Sequence, residues 1–395
     1  MNAGSSLELK IPPSQPIDVA RLTLLIRQLI EVEPDDAPIV SCYYAPNEPG
    51  AREFFIQRHD EVTSVLPPSR HAVTLEAFSQ IHNYLEHEID ASMAGVAVFA
   101  RAGDRPLFVA MQFRVGLQLQ IGVGRVPNIY RLVELKDTYD RYVVFITSER
   151  SSRIVEINLG AVTKELWTKR PELRGRVADA WSHDHYQRHS SHALEEELAI
   201  LERLVATGRH AYLMLAGPEA RVAFVRSQLP PSLRQRLIDA PGALGDDVVV
   251  ETLGRFVASE QQESRATADE LITALERSGL AVAGIVRTLD ALYGGRADVL
   301  VLAKSYPKRS ISQCGKCGWI DTLIPAAQRC SACSATQRMF VVERGEALVR
   351  LAEQRGVDIE LVDDCEELNN IGGVGCLLRY SISSADLDDL LEEPV

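Results

Sequence analysis

Four cysteines in the last third of the chain have the spacing of a metal site. They are Cys314, Cys317, Cys330 and Cys333, in the pattern C-x2-C-x12-C-x2-C. Two such pairs are typical of a zinc ribbon, where four thiolates surround one tetrahedral zinc ion and leave no position for water. We therefore expect one structural Zn2+, with Gly315 and Gly318 allowing tight turns around it. The alternatives are four unrelated buried cysteines or a redox centre.

A second group of reactive or nucleic-acid-binding side chains lies in the segment 169–188, KRPELRGRVADAWSHDHYQR. Basic, histidine and aromatic side chains bind RNA phosphates and stack on bases. The residues for such a contact are Lys169, Arg170, Arg174, Arg176, Trp181, His183, His185 and Arg188. A polar loop with an exposed helix start is the plainer interpretation. A second metal is a third, because His185, His189 and His192 have helical spacing.

Composition limits the classes of protein and partner. The chain has 395 residues, 46% apolar and 25% charged, which predicts a globular protein of two or three domains. It has no apolar run of the ~18–20 residues that a membrane span needs, and its first residues do not resemble a secretory signal. Seven cysteines, an odd number, favour a reducing compartment. We expect a cytoplasmic location and no membrane partner.

The net charge of −13 argues against a generally basic binder of DNA or RNA. Residues 1–138 hold 12 basic and 17 acidic side chains, 139–256 hold 16 and 16, and 257–395 hold 14 and 22. The middle region is the neutral one. We therefore expect an RNA contact there, and no DNA partner.

The elements that must position these residues fall into three α/β blocks, 1–138, 139–256 and 257–395. Alternating strands and helices predict partly parallel sheets in the second and third blocks. A hairpin is predicted from Tyr142–Thr147 and Arg153–Leu159, followed by an irregular stretch at about 165–188. We also predict a turn at Gly122-Val123-Gly124, a strand at Val248–Glu251 and a helix over about 281–293.

The third block resembles the C-terminal domain of the archaeal and eukaryotic class I release factors and Pelota. The resemblance comes from a helix ending in Tyr293-Gly294-Gly295 before the strand Ala297–Leu302, the inserted ribbon, and the stretch Gly372–Tyr380. The second block resembles the middle domain of that superfamily through its opening hairpin and the run LMLAGPEARVAFVRSQLPPSLRQRL. The first block lacks the Asn-Ile-Lys-Ser motif and is similar in layout to the bacterial, Balon-like branch.

The resemblance covers roughly residues 139–382. It implies three α/β domains: an N-terminal domain on the decoding-centre side, an RNase H-like middle domain, and an L7Ae-like C-terminal domain. The last would carry the zinc ribbon at 311–336 and an acidic tail. The implied partner is the 70S ribosome, through rRNA at the A site and the peptidyl-transferase centre. Elongation factor Tu is a second expected partner.

Release factors of this superfamily cleave peptidyl-tRNA with a Gly-Gly-Gln loop, which the segment 169–197 lacks. Ala180-Trp181-Ser182-His183 stand where backbone freedom would be needed. We therefore expect a non-enzymatic factor that occupies the A site and keeps ribosomes in a hibernating or protected state. The alternative is a rescue factor that releases peptide from P-site tRNA, or cleaves that tRNA, with His183 or Gln187 as surrogate catalytic group. An RNA-binding protein unrelated to ribosomes is the third hypothesis.

Overall fold

The computed structural model describes residues 7–12, 17–148, 151–169, 194–206, 212–240, 244–245, 247–277, 279–322, 329–336, 339–363 and 365–380. Among these residues, no helix combines the length and apolarity that crossing a lipid bilayer requires.

The N-terminal residues form a five-stranded sheet. In chain order the elements are β1 (Leu7–Lys10), α1 (Val19–Ile30), β2 (Ile39–Tyr44), α2 (Ala51–Val65), α3 (Pro68–His87), β3 (Gly95–Arg101), β4 (Leu107–Phe113), β5 (Gln120–Gly124) and α4 (Tyr130–Thr138). The strand order is β1-β4-β3-β2-β5, with only the β1–β4 pair parallel. Helices α2 and α3 bury Phe55, Phe78 and Ile81 against the sheet. The predicted turn at Gly122-Val123-Gly124 is wrong, because these residues pair with β2 as part of β5.

The middle residues form a second five-stranded sheet. Its elements are β6 (Tyr142–Thr147), β7 (Ser151–Asn158), β8 (Ala161–Lys169), α5 (194–206), β9 (Tyr212–Ala216), α6 (Glu219–Gln228), α7 (Pro231–Arg234) and β10 (Leu237–Ile238). The strand order is β10-β9-β6-β7-β8, and β9 is parallel to both β6 and β10. The predicted hairpin is confirmed as β6 and β7. The irregular stretch predicted from about 165 is wrong up to Lys169, where β8 ends.

The remaining residues contain two smaller sheets. The elements are α8 (Val248–Glu276), β11 (Ala281–Ala283), α9 (Ile285–Tyr293), β12 (Ala297–Ala303), β13 (Ser310–Cys314), β14 (Ile320–Asp321), β15 (Met339–Glu343), α10 (Arg344–Arg355), β16 (Asp358–Val362), α11 (Glu366–Asn370) and β17 (Val374–Leu378). The strand orders are β11-β17-β12-β16 and β14-β13-β15. The β12–β16 pair is parallel, so partly parallel sheets are present in both predicted regions.

Two predictions in this region are wrong. Val248–Glu251, predicted as a strand, is the first turn of α8, where Val248 and Phe256 pack in the core of the middle sheet. The helix predicted over 281–293 begins only at Ile285, because residues 281–283 form β11 and pair with β17. In both places long-range packing overrides the local pattern.

The glycine-rich stretch at the start of β17 is explained by close packing. At Gly375 a Cβ atom would lie 2.6 Å from the Val282 carbonyl oxygen on β11 and 2.8 Å from Leu271 on α8. Gly373 has φ of +73°, a conformation that favours glycine. The stretch singled out from sequence therefore allows close contact between backbones in this sheet.

The chain separates into two compact units. One comprises residues up to 138, apart from Pro16–Val19, together with residues from Gln261 onward; the other comprises Tyr139–Glu260 with Pro16–Val19. The first unit therefore contains the N-terminal sheet and both C-terminal sheets. The division into three domains at 138/139 and 256/257 stays a prediction.

Candidate metal centre and candidate RNA interface

The four predicted cysteine ligands converge on one point. The sulfur atoms of Cys314, Cys317, Cys330 and Cys333 all lie within 4.8 Å of one another. The Sγ atoms of Cys314 and Cys333 are 3.7 Å apart, and those of Cys317 and Cys330 are 3.6 Å apart. A tetrahedral cation with metal–sulfur bonds of about 2.3 Å places its ligands about 3.8 Å apart. The donor set therefore fits a tetrahedral, thiolate-binding metal ion.

The backbone builds the two halves of this site in the same way. Gly318 N–H donates to the Cys314 carbonyl at 2.9 Å, and Ser334 N–H donates to the Cys330 carbonyl at 2.9 Å. Gly318 and Ser334 follow the second cysteine of each pair and have φ of +75° and +56°. Gly318 thus plays the predicted turning role. Ser334 also has a positive φ although it is not a glycine, and no sequence pattern predicted this.

Local dipoles favour the thiolate form at Cys333, whereas burial raises the pKa of the neighbouring Cys317 thiol to about 12. A hydrogen bond from the backbone N–H of Ala335 lowers the pKa of the Cys333 thiol to about 7. Lys316 N–H also approaches Cys314 Sγ at 3.4 Å. Backbone N–H groups directed at sulfur favour the thiolate form, which is the form that binds metal. All four ligand positions belong to cysteine, so the site has a structural donor set.

The ribbon is attached to α9 by aromatic residues. Trp319 stacks on Tyr293, with ring centroids 4.7 Å apart and an interplanar angle of 20°. The Tyr293 hydroxyl accepts a hydrogen bond from Ile320 N–H at 2.8 Å, and burial raises the pKa of Tyr293 to about 12. Cys314 lies at the end of β13 and donates its N–H to the Trp319 carbonyl. The metal site and α9 are therefore parts of one packed structure.

The predicted RNA-contact residues lie at the border of the described chain. Lys169 is the last residue of β8. The other seven lie outside the described residues: Arg170, Arg174, Arg176, Trp181, His183, His185 and Arg188. Gln187 and the histidines His189 and His192 also lie outside them. The RNA-contact, metal and catalytic predictions for this segment therefore stay predictions.

Sequence reasoning missed an exposed aromatic residue beside this segment. Trp167 lies on β8, two residues before Lys169, and its side chain is 64% exposed. It pairs across the ladder with Arg153 on β7, whose guanidinium lies 5.1 Å from the ring centroid. An exposed tryptophan with an arginine over its face can stack a nucleobase. The available signal was a tryptophan within the charged strand sequence KELWTK.

Comparison with known proteins adds a family relation for the middle of the chain. Residues 127–261 match the model described as "Bacterial archaeo-eukaryotic release factor family 10". This region contains β6 to β10, the segment 169–188 and the first part of α8. Among curated proteins, none has a detectably similar sequence.

Solved structures give more distant likenesses. An archaeal translation termination factor is 14% identical, with 92% of this chain and 99% of that chain covered and a TM-score of 0.26. Pelota of Archaeoglobus fulgidus is 12% identical, with 93% and 94% covered and a TM-score of 0.35. A ribosome-bound archaeal Pelota is 10% identical, with 93% and 96% covered and a TM-score of 0.40. These likenesses are too distant to locate a functional residue in this chain.

Proposed function

We propose that the chain is a ribosome-binding translation factor of the superfamily of archaeo-eukaryotic release factors and Pelota, because its residues 127–261 match the model of bacterial archaeo-eukaryotic release factor family 10. In this proposal it occupies the A site of the 70S ribosome and keeps that ribosome in a hibernating or protected state without hydrolysing peptidyl-tRNA. The family match is the observation that carries the ribosomal assignment.

The absence of a hydrolytic motif supports the non-enzymatic part of the proposal. The full sequence contains no Gly-Gly-Gln. The segment between β8 and α5 instead has Trp181 and His183, whose side chains restrict the backbone conformations that glycine allows. A glutamine that positions water must also be held at a defined place. Gln187 is not preceded by the two glycines that give the Gly-Gly-Gln loop its backbone freedom.

The proposed placement on the ribosome comes from the resemblance to release factors and Pelota, and the charge distribution is compatible with it. The segment 169–188, with its arginines and histidines, would extend toward the peptidyl-transferase centre, and Trp167 and Arg153 would contact rRNA at its base. Residues 1–138 would approach the decoding centre. The acidic residues 257–395 suit a protein contact, for which elongation factor Tu is the proposed partner. The RNase H-like and L7Ae-like identities of the second and third blocks are part of this proposal.

We propose zinc as the ion of the cysteine site. A set of four thiolates at tetrahedral spacing selects Zn2+ or iron, and zinc in such a closed site is structural. Cys314, Cys317, Cys330 and Cys333 would each give one sulfur ligand. The metal would stabilise the ribbon between α9 and β15, and it would take no part in any reaction.

Ribosome binding tests the assignment directly. The full-length protein is centrifuged with 70S ribosomes at several salt concentrations, beside the double variant Arg174→Glu/Arg176→Glu. We expect the wild type to sediment with ribosomes and the variant to be released at lower salt. Loss of two phosphate contacts should reduce the slope of log affinity against log salt by about 1–2.

A matched control is available in the same unit. Arg226 and Arg234 are exposed residues of α6 and α7. The variant Arg226→Glu/Arg234→Glu changes the net charge equally, and we expect it to bind like the wild type. Equal weakening by both variants would argue against the segment 169–188 as the contact. No sedimentation of the wild type at any salt would favour an RNA-binding role unrelated to ribosomes.

The second candidate function is rescue of stalled ribosomes by peptide release or tRNA cleavage. It is favoured by the histidine-rich sequence at 183–192, which could supply a general base. Under that function, His183→Ala or Gln187→Ala would abolish the appearance of free peptide or cut tRNA while leaving ribosome binding intact. Under the proposed function, no product appears with the wild type.

A further inference from the structure

A large groove in the first unit lies between the end of α2, strand β5 and strand β15. Its volume is about 850 Å³, and Val65, Val123 and Val341 are among its apolar lining residues. Val65 is 80% exposed and Val341 is 56% exposed, although both are aliphatic. Exposed aliphatic side chains around one groove mark a binding surface. The groove adjoins the ribbon sheet through Met339, Phe340 and Val341.

The charged lining of the groove is mostly basic. Arg58, Arg70 and Arg125 line it, against the single acidic residue Glu61. Arg58 pairs with Glu61 at 2.9 Å, and Arg125 pairs with Asp36 at 3.1 Å. Within the described chain, the side chain of Arg70 has no ion-pair partner. The groove therefore suits a ligand that is both apolar and acidic.

Two sheet edges face this groove. β5 is an outer strand of the N-terminal sheet, and β15 is an outer strand of the ribbon sheet. The Ile121 carbonyl accepts a hydrogen bond from Arg58 Nε at 3.2 Å, so it points away from β2. Backbone direction alternates along an antiparallel strand, so the N–H and C=O of Val123 also point outward. An extended peptide can add to such an edge.

We propose that residues 384–395 of this chain, SADLDDLLEEPV, bind in the groove as an extended segment beside β5. The segment contains five acidic residues and three leucines, which match the arginines and aliphatic side chains of the groove. Its occupancy would cover the β5 edge and protect it from pairing with other chains. This inference is independent of the proposed ribosomal function.

The segment can reach the groove. The last described residue is Tyr380, and the 15 residues after it can span about 50 Å when extended. A short series of direct contacts connects the start of the segment to the groove. Next to Tyr380, Arg379 N–H donates to the carbonyl of Arg296, three residues after Tyr293, and Tyr293 stacks on Trp319. The Trp319 carbonyl in turn accepts from the N–H of Cys314, whose partner across the sheet, Met339, lines the groove.

Site-specific crosslinking in the full-length protein tests the proposal. p-Benzoylphenylalanine is placed at Leu390, and crosslinked peptides are identified by mass spectrometry after irradiation. We expect intramolecular crosslinks to 58–70, 120–125 or 339–341. The same probe at Leu24, which is 60% exposed on α1, is the position control. Crosslinks elsewhere, no crosslinks, or crosslinked dimers that indicate exchange between two copies would each overturn the proposal.

Charge variants give a second test. Arg70→Glu should reduce crosslinking from position 390 by about fivefold. This factor is the largest change in a binding equilibrium that loss of one exposed ion pair typically causes. Arg52→Glu, on exposed α2 surface outside the groove, should leave it unchanged. Neutralising Asp386, Asp388, Asp389, Glu392 and Glu393 to the amides should speed hydrogen exchange at the Val123 N–H. Equal exchange with and without these carboxylates would overturn strand pairing at β5.

Discussion

A buried ion pair at the N-terminus of α4 offers a quantitative test of the first unit. Glu346 on α10 accepts hydrogen bonds from the backbone N–H groups of Ile129 and Tyr130 at 2.9 and 2.8 Å. Its other carboxylate oxygen contacts Arg350 at 3.0 Å, and the two side chains are 2% and 3% exposed. Arg350 also donates to the carbonyls of Pro127 and Ile30. Glu346 therefore caps α4 from a distant part of the chain.

Replacing Arg350 by methionine keeps an unbranched apolar stem and removes the charged guanidinium group. The Glu346 carboxylate is then buried without a cation, and the carbonyls of Pro127 and Ile30 lose a donor. Removing one partner of a buried pair typically costs about 3–5 kcal/mol. Glu346→Gln also leaves a buried charge unpaired, but Arg350 keeps its bonds to the Pro127 and Ile30 carbonyls and the amide oxygen still accepts from the α4 N–H groups, so we expect the lower end of that range, about 3 kcal/mol. The arginine variant should therefore be the more destabilised one.

The pH dependence has a definite sign. Burial raises the pKa of Glu346, with Arg350 and the backbone N–H groups opposing this shift. A folded-state pKa above the unfolded value means that the group favours folding most below its unfolded pKa, and this contribution is lost as pH rises through the folded pKa. In Arg350→Met the opposing charge is gone, so that loss should be larger. The variant should gain stability when pH is lowered from 7 toward the unfolded pKa.

Hydrogen exchange of the amides of Leu132, Val133 and Leu135 measures the local stability of α4, and thermal unfolding measures the stability of the whole chain. We expect faster exchange in Arg350→Met than in Glu346→Gln. The double variant Glu346→Gln/Arg350→Met should lose the added pH dependence. Unchanged exchange in α4, or a larger effect of Glu346→Gln, would refute the reasoning.

Three further predictions concern other parts of the chain. Chelation should release one zinc ion per chain and change the fluorescence of Trp319, because the ribbon needs its metal to fold; retention of that signal after full zinc removal would contradict a structural role. Trp167→Ala should weaken binding of single-stranded RNA by about 1–3 kcal/mol, measured by fluorescence anisotropy. Phe224→Ala, an exposed aromatic with Arg221 at 5.2 Å, should have no effect. Gly217→Ala should destabilise the second unit by about 1–3 kcal/mol in chemical denaturation, because its Cβ would lie 2.0 Å from the Thr147 carbonyl oxygen and φ is +137°; no measurable loss would show that the β9 end relaxes.

Local patterns predicted several elements and the metal site. The hairpin of β6 and β7 was predictable, because its two apolar strands and the polar turn between them lie within one short segment. The cysteine site was also predictable, since two short-range pairs define most of its geometry.

The features that sequence reasoning missed depend on distant partners. β5 is a strand because β2 pairs with it, although Gly122 and Gly124 locally indicate a turn. Val248 begins a helix because that helix packs on the middle sheet. Glu346 accepts a hydrogen bond from the N–H of Tyr130, which lies 216 residues earlier in the sequence, and no local pattern marks either residue as a partner. Trp167 was missed because exposure depends on its place at the sheet edge.

The central claim is that the protein binds the ribosome without releasing the nascent peptide. The most direct measurement uses 70S ribosomes with labelled peptidyl-tRNA in the P site, incubated with the full-length protein and pelleted through sucrose. We expect the protein to be in the pellet and the peptide to remain attached to full-length tRNA there. Free peptide or cleaved tRNA, formed at a rate that His183→Ala or Gln187→Ala abolishes, would contradict it.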